Sequence, residues 1–346
     1  MLKSRSMLRS LPSLHAPSKR LRRQHEQTSP TPLVLAIDIE PAPRHDVIGS
    51  EAEWSGFLEC VKLLAPWREW VREQTGNPLR VSWFLRMDDQ IEQTYGSMAW
   101  IRETFGDLIE ELASEGDDFG IHSHAYRRAG DAWVQDYTDE ARIGTMLDAA
   151  VAAFTDGMGS RPRAFRFGDH WLSEETLAHL EHLGFEYDLT LEPGRRGGNA
   201  PGSDAGSFPD YTRAPREPYR PRRASFLQVG DAEDHRGIWM LPVSMSCYRR
   251  PGPPHPRFHP GHRYEQANLA LSQAFMQPFI DYLLGSDEKL ISIASRTGDL
   301  SHPAYEANFR ANLAYLLGHP DIARVVVEPP AEAIVRITAA DALALP

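Results

Sequence analysis

Acidic and imidazole side chains occur in this sequence as two pairs, each with a single residue between its members. Asp38 and Glu40 are separated by one isoleucine, and His122 and His124 by one serine. Side chains at positions i and i+2 of a β-strand point to the same face, so both members of each pair can contact the same ligand. Two carboxylates on one face repel each other unless a cation or an arginine is present. Two imidazoles joined by a carboxylate are ligands typical of a divalent metal such as Zn²⁺.

We therefore predict a divalent metal site, with zinc as the expected ion. His122 and His124 would bind the ion, and Glu40 or Asp38 would complete the ligand set. We assign Glu40 to the metal in the leading arrangement. The alternative for the carboxylate pair is a solvated loop that follows a buried strand.

Charged side chains also follow the other short apolar runs of the chain. Arg86 and Asp88 follow one run, and they form either a local ion pair or a contact with the substrate. Arg166 follows another run, and we interpret it as the side chain that orients or neutralises a catalytic carboxylate. The alternative for Arg166 is a structural ion pair. Arg296 and Asp299 follow a late run; we expect Arg296 to contact substrate and Asp299 to act in catalysis.

The loop after Arg166 adds an imidazole and an indole. We expect His170 to act in catalysis and Trp171 to line a sugar-binding surface. The alternative is that both side chains only pack this loop. Any single polar strand end can be explained by solvation, so the prediction depends on several such clusters at equivalent positions of the chain.

The segments that carry these residues alternate between short apolar runs and amphipathic helical patterns. The patterns predict strands at 33–37, 81–85, 119–121, 164–167, 185–191, 239–243, 290–294 and 323–327. They predict helices at 54–71, 98–112, 143–154, 265–284 and 303–317, and one that begins after a Ser173 cap. About eight strand–helix steps of this kind indicate parallel strands with crossover helices, in a barrel or an open sheet. In both, the site forms at the carboxyl ends of the strands.

Composition places the chain among ordinary globular enzymes. Hydrophobic residues make up 41% and charged residues 25% of its 346 residues. Cys60 and Cys247 are too few for a disulfide framework or a cysteine zinc site. The net charge is -11, while residues 1–30 carry seven Lys or Arg and one Glu. The rest of the chain is therefore strongly acidic, which argues against nucleic-acid binding.

The same composition predicts the domain organisation. Residues 1–31 are expected to form a disordered basic tail, with a transit peptide or a polyanion-docking arm as alternatives. Residues 32–346 are expected to form a single domain with loops inserted at 193–238 and 249–263, because 193–223 contains eleven Pro or Gly. No apolar run has the length of a signal-peptide core or a membrane span, so we expect a cytoplasmic location.

The order of the motifs resembles the NodB-type polysaccharide deacetylases, carbohydrate esterase family 4, over roughly residues 33–192. Asp38-Ile39-Glu40 is similar to the family's T-F-D-D-G, and 118–126 (D-F-G-I-H-S-H-A-Y) is similar to E-I-G-x-H-[ST]-x-x-H. The segments 165–168 (F-R-F-G) and 183–188 (L-G-F-E-Y-D) are similar to its third motif and the helix end after it, and 82–85 (S-W-F-L) to its A-T-F-F strand. The resemblance implies a (β/α) barrel of 7-8 parallel strands with long Pro/Gly-rich insertions.

The resemblance also implies site roles, with three departures from the family pattern. Asp38 matches the family's catalytic base, held by Arg166. Glu40 has to replace a metal-binding aspartate, and His124 has to replace a metal histidine whose position is Tyr126 here. The late motif that supplies a general-acid histidine corresponds to 293–296 (I-A-S-R), which contains none, so His170 or Asp299 has to act as the acid.

Three functional hypotheses follow. The first is a metal-dependent hydrolase that removes an acetyl group from an N-acetylated sugar or glycan. The second keeps the chemistry but acts on the C–N bond of a small non-sugar amide, as the allantoinase-like branch that resembles this family implies. The third is a catalytically silent, carbohydrate-binding barrel. The expected partner is a carbohydrate or a small amide, and the sequence indicates no particular oligomeric state.

Overall fold

The structure is a computed structural model that describes residues 30–42, 51–199, 207–247 and 264–343. Most of the predicted tail and the predicted loop at 249–263 lie outside these residues. The tail boundary at residue 31 is wrong by one position, because Thr31 begins the first strand and pairs with Val325. That pairing connects opposite ends of the chain, so local composition does not reveal it.

The strands alternate with the helices along most of the chain. They are β1 Thr31–Ile39, β2 Ser82–Arg86, β3 Asp118–Ser123, β4 Tyr126–Ala129, β5 Ala132–Gln135, β6 Ala164–Phe167, β7 Tyr187–Asp188, β8 Gly198–Asn199, β9 Ser207–Phe208, β10 Pro221–Arg222, β11 Ser225–Val229, β12 Trp239–Met240, β13 Met245–Cys247, β14 Tyr264–Gln266, β15 Ile291–Arg296 and β16 Val325–Val327. The helices are α1 Ser55–Thr75, α2 Asp89–Tyr95, α3 Trp100–Thr104, α4 Gly106–Ser114, α5 Glu140–Met158, α6 Glu174–His182, α7 Gln273–Gly285, α8 Pro303–Leu317 and α9 Pro330–Leu343, with 3-10 turns at Glu51–Trp54, Gly168–His170, Thr297–Ser301 and Ile322–Arg324.

One parallel sheet organises the fold. Its strand order is β12-β7-β6-β3-β2-β1-β15, and β16 pairs with the beginning of β1. Every pairing in this sheet is parallel. The sheet curls into a partial barrel with helices outside, which confirms the predicted (β/α) barrel with 7-8 parallel strands.

The segment after β12 forms backbone hydrogen bonds both with the segment after β7 and with β15, while β12 and β15 form no ladder with each other among the described residues. The Val243 N–H donates to the Leu191 carbonyl at 2.9 Å, and the Ser244 N–H donates to the Ser292 carbonyl at 2.9 Å. The Ala294 N–H donates to the Ala267 carbonyl, also at 2.9 Å. These bonds satisfy backbone groups that an open edge would leave unpaired.

The alternation of side chains along β1 separates two cores. Leu33, Leu35, Ile37 and Ile39 pack between the sheet and the surrounding helices. Val34 and Ala36 point the other way, into the barrel, where they join a smaller core that includes Phe84, Ala164 and Ile334. The two alternating positions that come next on the interior side are Asp38 and Glu40. The barrel interior therefore changes from apolar to charged at the carboxyl end of the strands.

Several elements differ from the sequence prediction. The helix predicted at 98–112 is two helices, α3 and α4, and the helix predicted at 265–284 begins only at Gln273. Residues 264–266 form β14 instead, because they pair with β13. The predicted loop at 193–238 contains two short hairpins, β8–β9 and β10–β11. Helix α2 was missed although Asp88 caps it, accepting the N–H groups of Gln90 and Ile91.

In the described part of the chain, no helix has both the length and the apolar character needed to span a membrane.

Candidate active site

The carboxyl ends of neighbouring parallel strands bring most of the predicted site residues together. Asp38 lies in β1, His122 in β3 and Arg166 in β6, while Arg86 and Arg296 end β2 and β15. Glu40 and His124 follow their strands directly. Residues at equivalent heights on adjacent strands pair in register, as Arg86 does with His122 and His122 does with Arg166. The cluster is almost entirely buried.

Glu40, His122 and His124 form a compact group of metal-ligand atoms. One ligand atom from each lies within 4.8 Å of the others. Nε2 of His122 is 3.0 Å from Oε1 of Glu40 and 3.0 Å from Nε2 of His124. Nε2 of His124 is 3.6 Å from Oε2 of Glu40. The expected i, i+2 geometry of the two histidines is thus present, with β3 continuing through Ser123.

The hydrogen bonds made by Nδ1 of His122 and His124 determine the orientation and the tautomer of both imidazoles. Nδ1 of His122 donates to the Arg166 carbonyl at 2.9 Å, and Nδ1 of His124 donates to Asp169 Oδ2 at 2.8 Å. Both partners are oxygens that can only accept a hydrogen bond, so each Nδ1 carries the proton. In the neutral form of each ring, the lone pair is therefore at Nε2. Two such lone pairs facing each other beside a carboxylate repel unless positive charge lies among them. The donor set therefore fits a divalent cation, and a carboxylate or carbonyl partner behind each histidine is typical of metal ligands.

The electrostatics of this group favour positive charge at its centre. Burial raises the pKa of Glu40, but Arg296, His124 and His122 outweigh it and hold that pKa well below the usual value, so Glu40 is ionised. Burial and Arg86 lower the pKa of His124, yet the carboxylates of Asp169 and Glu40 raise it to about 9. A metal ion at His124 consequently competes with a proton.

Asp169 supports His124, and the sequence prediction did not select it. Its Oδ2 accepts hydrogen bonds from His124, from Gln135 Nε2 at 2.7 Å and from Tyr137 OH at 3.0 Å. Gln135 ends β5, so the β4–β5 hairpin lies against this side of the site. Asp169 has a φ of 55°, in the left-handed region that non-glycine residues rarely adopt. Its position two residues beyond the end of β6 is the signal that could have identified it.

Asp38 forms an ion pair with Arg166, the contact expected both if Arg166 orients a catalytic carboxylate and if it is a structural ion-pair partner. Nε of Arg166 donates to Asp38 Oδ2 at 3.0 Å, and its Nη1 donates to the Leu189 carbonyl at 2.7 Å. The other carboxylate oxygen, Oδ1, has no hydrogen-bond partner among the described residues. It lies 3.7 Å from Nδ1 of His122. One oxygen of Asp38 is thus fixed and the other is free to accept a proton.

Two further arginines flank Glu40, each anchored by its own polar partners. Nε of Arg86 donates to Asp88 Oδ2 at 2.9 Å, and its Nη2 donates to Gln90. Nη2 of Arg296 donates to Asp299 Oδ1 at 2.7 Å. Asp88 and Asp299 are therefore the ion-pair partners of these two arginines.

The direct partners of His170 and Trp171 are residues other than Glu40, His122 and His124. Nδ1 of His170 contacts the carboxylate of Glu192, a fully buried residue that the sequence prediction missed. Burial lowers the pKa of His170 and outweighs Glu192, which raises it. Trp171 is only 4% exposed and stacks on Tyr137, with ring centroids 5.0 Å apart. The expected sugar-binding surface at Trp171 is therefore wrong, because this indole is already covered by an aromatic neighbour.

Solved structures share this fold at low sequence identity. A protein of Parabacteroides distasonis assigned as a glycoside hydrolase/deacetylase has a TM-score of 0.54 and 16% identity, covering 85% of this chain and 68% of that one. Puue allantoinase has a TM-score of 0.52 and 13% identity, covering 93% and 95% of the two chains. A polysaccharide deacetylase from Pseudomonas aeruginosa PAO1 has a TM-score of 0.50 and 15% identity, covering 90% and 91%. No protein-family model matches the chain, and no curated protein matches it. The comparisons show a polysaccharide-deacetylase-like fold.

Proposed function

We propose that this protein is a metal-dependent hydrolase that removes an acetyl group from an N-acetylated sugar or glycan. The observation that carries the proposal is the convergence of Glu40, His122 and His124 beside an Asp38 carboxylate with one free oxygen. Two imidazole nitrogens and one carboxylate are a ligand set that suits zinc with a position left for substrate or water. The polysaccharide deacetylase and the allantoinase that share the fold are consistent with hydrolysis of a C–N bond.

Metal binding and proton transfer are assigned to different residues. Glu40, His122 and His124 would hold the ion. A bound divalent cation supplies Lewis acidity toward an acyl oxygen and toward water. Asp38 is the general base, because Arg166 fixes one carboxylate oxygen and leaves Oδ1 to accept a proton from water.

We propose His170 as the first candidate for the proton donor. Its Nδ1 faces Glu192, so only the imidazolium form, with a second proton on Nε2, could protonate the leaving amine. Its side chain is 17% exposed, whereas that of Glu192 is fully buried. Asp299 is the second candidate, since burial raises its pKa against the opposing effect of Arg296.

The proposal is tested by acetate release and metal content together. Purified wild type should release acetate from at least one member of a panel of N-acetylated sugars, and a chelator should abolish this activity. After dialysis against trace zinc, His122→Ala and His124→Ala should each lose metal. Tyr126→Phe should retain it, because the Tyr126 ring stacks on His124 and Tyr126 is not among the clustered ligand residues.

Other results would select a different function. Chelator-sensitive hydrolysis of small amides without acetate release would favour the C–N hydrolase on a non-sugar substrate. Wild type without zinc affinity or hydrolysis, but with sugar binding, would favour the silent barrel. Full metal occupancy in His124→Ala would contradict the ligand set itself.

A further inference from the structure

The two arginines that flank Glu40 have hydrogen-bond donors for which the described residues supply no acceptor. Nη1 of Arg86 lies 3.7 Å and Nη1 of Arg296 lies 3.8 Å from the same oxygen, Oε2 of Glu40. Both distances exceed the range of a hydrogen bond. Neither Nη1 has a hydrogen-bond partner among the described residues, and the same is true of Nε of Arg296.

These unused donors are held in place by their neighbours. Arg86 is fully buried, and its Nε and Nη2 are occupied by Asp88 and Gln90. Arg296 is fixed through its Nη2 by Asp299. In both side chains, therefore, the anchored nitrogens determine where Nη1 points. A buried charged donor without an acceptor is destabilising, so such a pair is expected where a ligand supplies the acceptor.

We propose that the substrate carries a carboxylate group and that Arg86 and Arg296 bind this group beside Glu40. The inference rests on the proposed hydrolase site being the substrate site. Guanidinium groups remain protonated throughout the working pH range, so these side chains bind an anion and do not transfer protons. Their N–H groups match carboxylate oxygens in geometry and charge.

The surrounding charges favour a singly charged ligand over a dianion. Asp38 and Glu40 are buried carboxylates on the same side of the barrel, and Asp88 and Asp299 are already paired with the two arginines. A carboxylate adds one negative charge beside these carboxylates, whereas a phosphate dianion adds two and is repelled more strongly. The expected substrate class is an acidic N-acetylated sugar, such as a uronic acid or a sugar whose ether-linked substituent carries a carboxylate.

Matched ligands test the inference by isothermal titration calorimetry on the zinc-loaded protein. The first pair is N-acetylglucosaminuronic acid against N-acetylglucosamine, and the second is N-acetylmuramic acid against N-acetylglucosamine. Wild type should bind at least one acid about tenfold more tightly than its neutral partner. Arg296→Gln should lose that preference, and Arg296→Lys should retain only part of it. Equal affinity for acid and neutral sugar in both pairs would overturn the proposal.

A matched control separates loss of the donor from loss of stability. The side chain of Arg236 is 10% exposed against 11% for Arg296, and it pairs with Glu174 and Glu181 of α6. Arg236→Gln should keep the preference for the acid, with thermal melting used to compare the two variants. Preservation of the preference in Arg296→Gln would contradict the assignment of this arginine.

Acetate release measured on the same ligands distinguishes failure of this inference from failure of the proposed function. Selective binding of the acid without hydrolysis would support the arginine pair as a carboxylate site and contradict the proposed hydrolase function. If the acid and the neutral sugar bind with equal affinity and both are hydrolysed in a chelator-sensitive reaction, the hydrolase function would be supported and the carboxylate preference contradicted.

Discussion

Arg166 makes two directional contacts that a point charge cannot reproduce together. Its Nε binds Asp38 at 3.0 Å while its Nη1 binds the Leu189 carbonyl at 2.7 Å on the adjacent segment. The planar guanidinium thus couples the orientation of the base to the backbone after β7. Lysine has a single ammonium group on a flexible stem and cannot hold both partners at these positions.

We accordingly expect Arg166→Lys to impair catalysis more than folding. Loss of the fixed Asp38 geometry should lower kcat by about 100-fold, the effect typical of misplacing a reacting group by an ångström. The measurement is steady-state kinetics on the acetylated sugar that wild type hydrolyses, with thermal melting alongside.

Arg336→Lys is the matched control for this variant. Arg336 makes a comparable two-point contact, with Nε and Nη2 each 2.8 Å from an oxygen of Glu328, but it lies in α9. Its replacement should leave kcat unchanged. If Arg166→Lys were equally active, Arg166 would be only a structural ion-pair partner.

At the level of elements, the turn after β6 and the β4–β5 hairpin together position His124. The turn supplies Asp169, and the hairpin supplies Gln135, which donates to the same carboxylate. The chain passes so close to the imidazole at Gly168 that a Cβ there would lie 2.3 Å from Cε1 and 2.4 Å from Nδ1 of His124. A side chain at this position would overlap with the His124 ring, so glycine is required there.

Gly168→Ala should weaken zinc binding by displacing the His124 ring. The displaced ring would lose its contact with Asp169, and disturbance of such an outer contact typically lowers metal affinity by about 10–100-fold. Zinc affinity can be measured by competition with a chromophoric chelator.

Gly144→Ala is the control for this substitution. A Cβ at Gly144 in α5 would also face a histidine ring, that of His179, but at an ordinary 3.7 Å. This variant should bind zinc like wild type. An unchanged zinc affinity in Gly168→Ala would show that the ring tolerates the displacement.

For the molecule as a whole, a buried acid on β7 makes stability depend on pH. Burial raises the pKa of Asp188 to about 7, although hydrogen bonds from Thr190 and the charge of Arg166 lower it. In the unfolded chain an aspartate titrates near ~3.9. Between these two values the folded protein keeps a proton that the unfolded chain releases. This contribution to stability is therefore complete below pH ~4 and is lost as the pH rises toward 7.

Asp188→Asn should remove this pH dependence. The free energy of unfolding of wild type relative to the variant should fall between pH 5 and pH 7, with a limiting slope of about 1.4 kcal/mol per pH unit. Urea unfolding at several pH values measures it, with a chelator present so that metal binding does not contribute. Parallel pH profiles for the two proteins would mean that Asp188 is ionised in the folded state.

The sequence by itself predicted most strands of the parallel sheet and the paired site residues. Strand periodicity is a local property, so the apolar runs predicted the parallel strands, and the i, i+2 spacing placed His122 and His124 on one face. The same periodicity placed Asp38 and Glu40 on the interior side of β1. Their meeting with the histidines followed from the rule that parallel strands present their carboxyl ends at one edge.

Residue spacing left open whether Asp38 or Glu40 lies with the two histidines; the family resemblance favoured Glu40, and the tertiary structure places Glu40 there. Asp38 pairs with an arginine 128 positions away, which leaves Glu40 to face the two imidazoles. Contacts of this kind depend on which strands become neighbours and on the height at which each side chain lies, and local pattern contains neither. For the same reason the covering of Trp171 by Tyr137 and the pairing of His170 with Glu192 could not be predicted. Each of them joins elements that are separate in sequence and meet only in the folded barrel.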